Sequence, residues 1–278
     1  MTQEDILDYK QNVYSQFGED GIIQHLFDRI GYGSKICCEF GAWDGIHFSN
    51  CRNLILGGWQ AVMIEGDDKR FEDLCRNYVD NPFVKSINRF VDTADNNLDA
   101  ILEDLHIASL DFLSIDIDGL DYQIMESLQT RPRIICVEVN AGHNPEDRSA
   151  IPPNIAKDNI GQPLSCFCEL AEEMGYHLSC YNGNAFFVQR DICQRHSLPS
   201  LSAQDAYRSY LSHLSHSERE WLYLANMGIV PPYYRFHNPY LDASALGIGR
   251  KRALALRMSA RPRQFMYKRA RSLRHILK

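Results

Sequence analysis

No stretch of this 278-residue chain approaches the roughly 18 consecutive apolar residues that a bilayer-crossing helix needs. The opening MTQEDILDYK is acidic and polar, so no signal peptide is expected there. None of the nine cysteines forms a CxxC pair, and several sit inside apolar, strand-like runs. An odd number of scattered thiols suits a reducing, cytoplasmic compartment better than a disulfide framework. Internal repeats and low-complexity blocks are missing too. So is the glycine fingerprint GxGxxG, and no YxxxK pair follows, which disfavours an NAD-dependent dehydrogenase or epimerase.

Acidic residues are absent from Gly249 to Lys278, where 11 of the 29 Lys and Arg residues lie. The remaining 18 basic residues face 36 acidic ones, a net of −18. The chain therefore reads as an acidic globular body with a basic tail, which argues against a uniformly basic nucleic-acid binder. Hydrophobic residues make up 45% and charged residues 23%, enough for a real core.

The first half alternates short apolar runs with amphipathic segments. Helices are expected over Gly18–Ile30, Phe48–Leu56, Asp68–Tyr78, Asn97–Leu105 and Asp121–Leu128. Strands are expected over Ile36–Phe40, Gln60–Glu65, Phe83–Ile87, Asp111–Ile117 and Arg133–Val139. Such alternation predicts βαβ units, a mainly parallel sheet and helices on both faces. A helix over Leu164–Met174 then precedes YHLSCYNGNAFFVQ, in which Asn182-Gly183 between two apolar runs is a hairpin signal. A parallel sheet finished by an antiparallel hairpin is the Rossmann-like arrangement of class I S-adenosylmethionine (SAM) methyltransferases. Beyond Ile192 the chain reads as helical, with a capping box at Ser217-Glu218-Arg219-Glu220. Three segments are expected: a domain over 1–195, a helical extension over 196–248, and the basic tail over 249–278.

Ligands of an open α/β sheet sit at the carboxyl ends of its strands. The loop after the first strand, CCEFGAWDGIHFSN, carries Glu39, Gly41, Asp44 and Gly45, either for close approach to a ligand or as an ordinary turn. Glu65 ends the second strand, where a carboxylate can accept both ribose hydroxyls of a nucleoside or simply be solvated beside Asp67 and Asp68. In DFLSIDIDGLDY, Asp116 and Asp118 share a face if the strand runs through both, while Asp121 can cap the next helix. Asp116, Asp118 and Glu138 together could hold Mg²⁺ or Mn²⁺. The fifth strand ends in CVEVNAGHN, bringing Glu138, Asn140 and His143 to the same rim. A histidine there is either a general base or a solvated loop residue.

In order and spacing, SQFGED, EFGAWDGIHFSN, GGWQAVMIEGD, LSIDIDGLDY and RPRIICVEVN together resemble the FkbM-type SAM-dependent methyltransferases over about residues 12 to 190. The resemblance implies a SAM-binding Rossmann-like domain that methylates an oxygen of a sugar, glycan or natural product. It implies Glu39, Gly41, Asp44 and Glu65 as cofactor-binding positions, with Asp116 on the methionine side. Where many relatives read Asp-Val-Glu-Gly, this chain reads Asp116-Ile117-Asp118-Gly119. His143 is the expected base, a carboxylate-held metal the alternative, and the 141–161 loop the expected roof of the acceptor pocket. A different class of reading is a non-catalytic module that docks a glycan-assembly partner or membrane. The tail over 250–278, apolar and basic by turns, is expected to contact an anionic membrane or acidic partner, or to fold back on its own acidic body.

Overall fold

A computed structural model describes residues 4–91, 93, 97–117, 119–151, 161–229 and 238–258. Seven strands form one sheet: β1 (Ile36–Phe40), β2 (Gln60–Glu65), β3 (Val84–Asn88), β4 (Phe112–Ile115), β5 (Ile134–Glu138), β6 (Tyr176–Tyr181) and β7 (Asn184–Gln189). Their order across the sheet is β3-β2-β1-β4-β5-β7-β6. The first five strands are parallel, β7 runs antiparallel to β5, and β6 antiparallel to β7. This is a mainly parallel, Rossmann-like α/β sheet closed by an antiparallel hairpin, as expected. The order reverses between β1 and β4, which opens a crevice at their carboxyl ends.

Alternation within each central strand explains why both faces are covered. Cys38 and Phe40 of β1, Val62 and Ile64 of β2, Leu113 and Ile115 of β4, and Ile135 and Val137 of β5 enter one core. Their neighbours Cys37, Ala61, Met63, Phe112, Ile134 and Cys136 enter the other. Strands apolar on both sides need helices on both sides. Helix α1 (Glu19–Ile30) covers the second face with Ile22, Ile23, Leu26 and Phe27, as its periodicity predicts. Helices α2 (Arg52–Leu56) and α3 (Asp68–Tyr78) lie on that face as well. The first face takes α4 (Leu98–Asp104), α5 (Asp121–Ser127) and α6 (Leu164–Glu173). Asp67 caps α3 by accepting from the Lys69 and Arg70 amides, and Asn97 caps α4 from Ala100.

After β7 come α7 (Arg190–His196), α8 (Ala203–His213) and α9 (His216–Asn226). Ala206, Tyr207, Leu222 and Tyr223 join the core of the sheet's first face, so the extension shares that core. The capping box opens two residues earlier than the sequence pattern suggests: Ser215 accepts from the Glu218 amide, and Glu218 accepts from the Ser215 amide. Residues 250–258 are helical and bury Ala253 and Leu256. Arg252 makes two bonds to Glu220, at 2.5 and 2.7 Å. This first part of the basic segment thus lies on α9, and residues 259–278 are outside the described residues.

Candidate functional site

The β1–α2 loop is built around two buried carboxylates. Glu39 is buried, at 5% exposure, and accepts from Ser49 Oγ at 2.5 Å and from the Asn50 amide at 2.7 Å. Burial pushes its carboxyl up to about 7, against the pull of those bonds. Asn50 then donates to Ser114 Oγ of β4 at 3.0 Å, which ties the loop to the neighbouring strand. Holding this arrangement puts Phe48 at φ +60°. A helix cannot run through that residue, so the predicted Phe48–Leu56 helix begins only at Arg52.

Glu65, at the end of β2, accepts from the Trp43 amide and the Asp67 amide, both at 2.8 Å. It therefore fixes both loops that frame the crevice. A carboxylate has about four lone-pair sites, so these two bonds leave capacity for two hydroxyls. Gly41, at φ +63°, lies against the backbone of Asp116 where β1 and β4 diverge.

Around these residues lies a cavity of about 510 Å³. Glu39, Gly41, Glu65, Asp116 and Glu138 line it, with Trp43, Phe48 and Phe90 as apolar walls. Its volume falls within the range of small-molecule sites. Four of the five predicted cofactor positions thus converge here. The fifth does not: Asp44 is not among the lining residues. Its Oδ1 accepts from the Ile46 and His47 amides at 2.9 Å, and its Oδ2 lies 2.6 Å from His47 Nδ1. Burial alone would raise its carboxyl, but the bonds from His47 and Ile46 outweigh that and hold it below the ordinary range. Asp44 shapes the loop, and His47 lines the cavity in its place.

Strand β4 stops at Ile115, short of the expected Ile117, so Asp116 lies on the loop beyond it. Asp118 itself is outside the described residues. A different third carboxylate joins the group. Asp116, Asp121 and Glu138 each place an oxygen within 4.8 Å of the others. Asp121 is not the N-cap of α5, which is Leu120. As the first helical residue it reaches back to the Ile117 and Gly119 amides, at 2.8 and 2.9 Å, and so holds the β4–α5 turn. Burial pushes its carboxyl up to about 6. The DIDG-x-D spacing was the signal for this residue, and the capping reading concealed it.

His143 does not join this group. It is 6% exposed, lies outside the cavity lining, and its carbonyl accepts from Asn238 Nδ2 at 2.7 Å. Fully buried Asn238 also bonds the Tyr207 hydroxyl, so the turn after β5 is clamped to α8. An expectation of a rim histidine there overlooked the chain returning from residue 238 to cover it. Glu138, by contrast, faces both the first cavity and a second one of about 360 Å³.

No curated protein sequence matches this chain. Among solved structures it resembles a TehB-like SAM-dependent methyltransferase from Corynebacterium glutamicum at 12% identity, covering 64% of this chain and 89% of that one (TM-score 0.40). An O-methyltransferase family protein from Burkholderia thailandensis gives 9% identity, 60% and 55% coverage, and a TM-score of 0.38. The METTL16 MTase domain gives 19% identity, 61% and 66% coverage, and a TM-score of 0.39. The family model of the methyltransferase FkbM domain matches residues 85–178, from β3 into β6, so this part of the chain is similar to that domain.

Proposed function

We propose that this chain is a SAM-dependent O-methyltransferase acting on a hydroxyl of a sugar, glycan or natural-product acceptor. The observation that carries this reading is Glu138, whose side chain borders both the crevice cavity and the adjoining one. SAM, when bound, supplies the activated methyl group. Glu65 accepts the ribose hydroxyls through its remaining lone pairs. The backbone at Gly41 permits close approach, and Trp43 and Phe90 flank the nucleoside. Alignment of the acceptor hydroxyl with the methyl carbon supplies up to about 7–11 kcal/mol. The hydroxyl's proton leaves to the carboxylate cluster, with Glu138 as the base in place of buried His143.

A second way of handling that proton rests on the same cluster. Two ligands at about 2.0–2.6 Å from one ion stand no more than about 5 Å apart, so Asp116, Asp121 and Glu138 fit a divalent cation such as Mg²⁺ or Mn²⁺. A cation there would lower the hydroxyl's pKa instead of a base removing the proton.

The nine cysteines stand as free thiols, which supports a reducing, cytoplasmic setting. Among the described residues no helix is long and apolar enough to cross a membrane. Contact of the basic tail with an anionic membrane or acidic partner remains a proposal drawn from its composition. Titration calorimetry with SAM tests the reading: micromolar or tighter binding is expected, and the absence of heat together with an unshifted melting temperature favours a non-catalytic module.

A further inference from the structure

The second cavity does not end at the strand tips. It continues into a third, of about 340 Å³, and the two share Phe17, Asn182, Tyr210, Trp221 and Leu222. The groove runs from Glu138 outward between the N-terminal loop and helices α8 and α9. Most of its outer wall comes from residues before 20 and after 200, outside the segment that matches the family model.

Its chemistry is specific. Amide side chains dominate the polar lining: Gln11, Asn12, Gln16, Asn140, Asn182 and Asn184. Two of them are fixed in advance, and Asn182 is spent in doing so: its amide nitrogen donates to Glu19 and to the Phe17 carbonyl, and its oxygen accepts from the Asn184 amide. Buried Glu19, 1% exposed, accepts from Asn182 Nδ2 and Asn184 Nδ2, both at 3.0 Å. Such preorganisation lowers the ordering cost of binding. Two large aromatic side chains stand open at the junction, Phe17 at 50% and Trp221 at 46% exposure. An aromatic face is electron-rich and accepts the weakly positive C–H face of a sugar ring, while amides match neighbouring hydroxyls as donor and acceptor. Among the described residues one cation, Lys10, lines the groove, against Asp121, Glu138 and Glu218. That balance repels phosphorylated or nucleotide-linked acceptors.

We infer that the acceptor is a neutral oligosaccharide of at least two units, its reacting hydroxyl at Glu138 and its next ring stacked on Trp221. The length follows from two joined compartments, each near the lower end of small-molecule site volumes. The C-terminal extension is then the specificity wall of the enzyme. This inference rests on the methyl-transfer reading given above.

The experiment uses the full chain saturated with S-adenosylhomocysteine on an array of neutral and acidic saccharides of one to six units. Retention is expected on neutral oligosaccharides of two or more units. It should weaken about tenfold or more in Trp221→Ala and recover partly in Trp221→Phe. Melting temperature and S-adenosylhomocysteine affinity, which Trp221 does not touch, should stay at wild-type values. Equal retention of monosaccharides, preference for acidic chains, indifference to Trp221→Ala, or no neutral oligosaccharide retained overturns the acceptor while leaving methyl transfer intact. A wild-type chain that fails to bind S-adenosylhomocysteine overturns the methyl-transfer reading and the acceptor with it.

Discussion

The carbonyl oxygen of Asp116 lies 2.1 Å from the point where a Cβ on Gly41 would stand. The two backbones are that close because β1 and β4 are paired neighbours in the sheet. Gly41→Ala would force two backbones apart and place alanine at φ +63°. A loss of about 1–3 kcal/mol is expected from overpacking alone, read as a lower urea midpoint, together with weakened SAM binding. An unchanged midpoint and unchanged affinity would show that the strand ends can part freely.

Glu65 carries two duties, since it holds the Trp43 and Asp67 amides and faces the cavity. Glu65→Ala should weaken SAM binding tenfold or more, since each bond to a charged group contributes about 1.5–3 kcal/mol. It should also destabilise the protein by leaving those amides without an acceptor. Glu65→Gln, which keeps an acceptor oxygen, should recover stability more than affinity. Calorimetry and a denaturant titration on the same samples separate the two effects.

Stability should fall as pH rises through neutrality. Burial raises Glu39 from 4.5 to about 7 and Asp121 from 3.8 to about 6 in the folded chain. Between the unfolded and folded values the native state binds more protons, so unfolding free energy decreases with pH. The contribution is fully present below about pH 4 and is lost progressively as pH rises through about 7. Glu39 holds its proton to higher pH than Asp121 and dominates the slope between about 6 and 7, so Glu39→Gln should reduce the slope there. A slope in that window unchanged by Glu39→Gln would mean the carboxyl is already ionised.

Catalysis should follow Glu138 and not His143. Glu138→Gln is expected to lower turnover by about 10²–10⁴ with SAM affinity nearly intact. His143→Ala should lower stability, since it empties a buried position, while turnover per folded molecule stays near wild type. The reverse outcome would restore the histidine as base.

Metal dependence separates the two ways of removing the proton. If the carboxylates act alone, activity should survive EDTA. If they hold a cation, EDTA should abolish activity and Mg²⁺ or Mn²⁺ restore it, with Asp121→Asn raising the metal concentration required.

The strands of the sheet and its closing hairpin were legible in the residues. Apolar runs on two faces, glycine past the first strand and Asn182-Gly183 at the hairpin each constrain the local backbone strongly, so β1, β2, β5 and the β6–β7 pair fall where the pattern puts them. That Glu39, Gly41 and Glu65 would line one crevice was legible for the same reason, since they are tied to strand ends. The sequence could not show that Asp121 turns inward beside Asp116, because that depends on β4 ending at Ile115 and on backbone amides closing a turn. Nor could it show that Asn238 returns across about a hundred residues to bury His143, or that Phe17 and Trp221 meet at one groove. Local preference acts over a few residues, whereas these pairings are chosen by the shape of the finished core, so only the tertiary structure decided them.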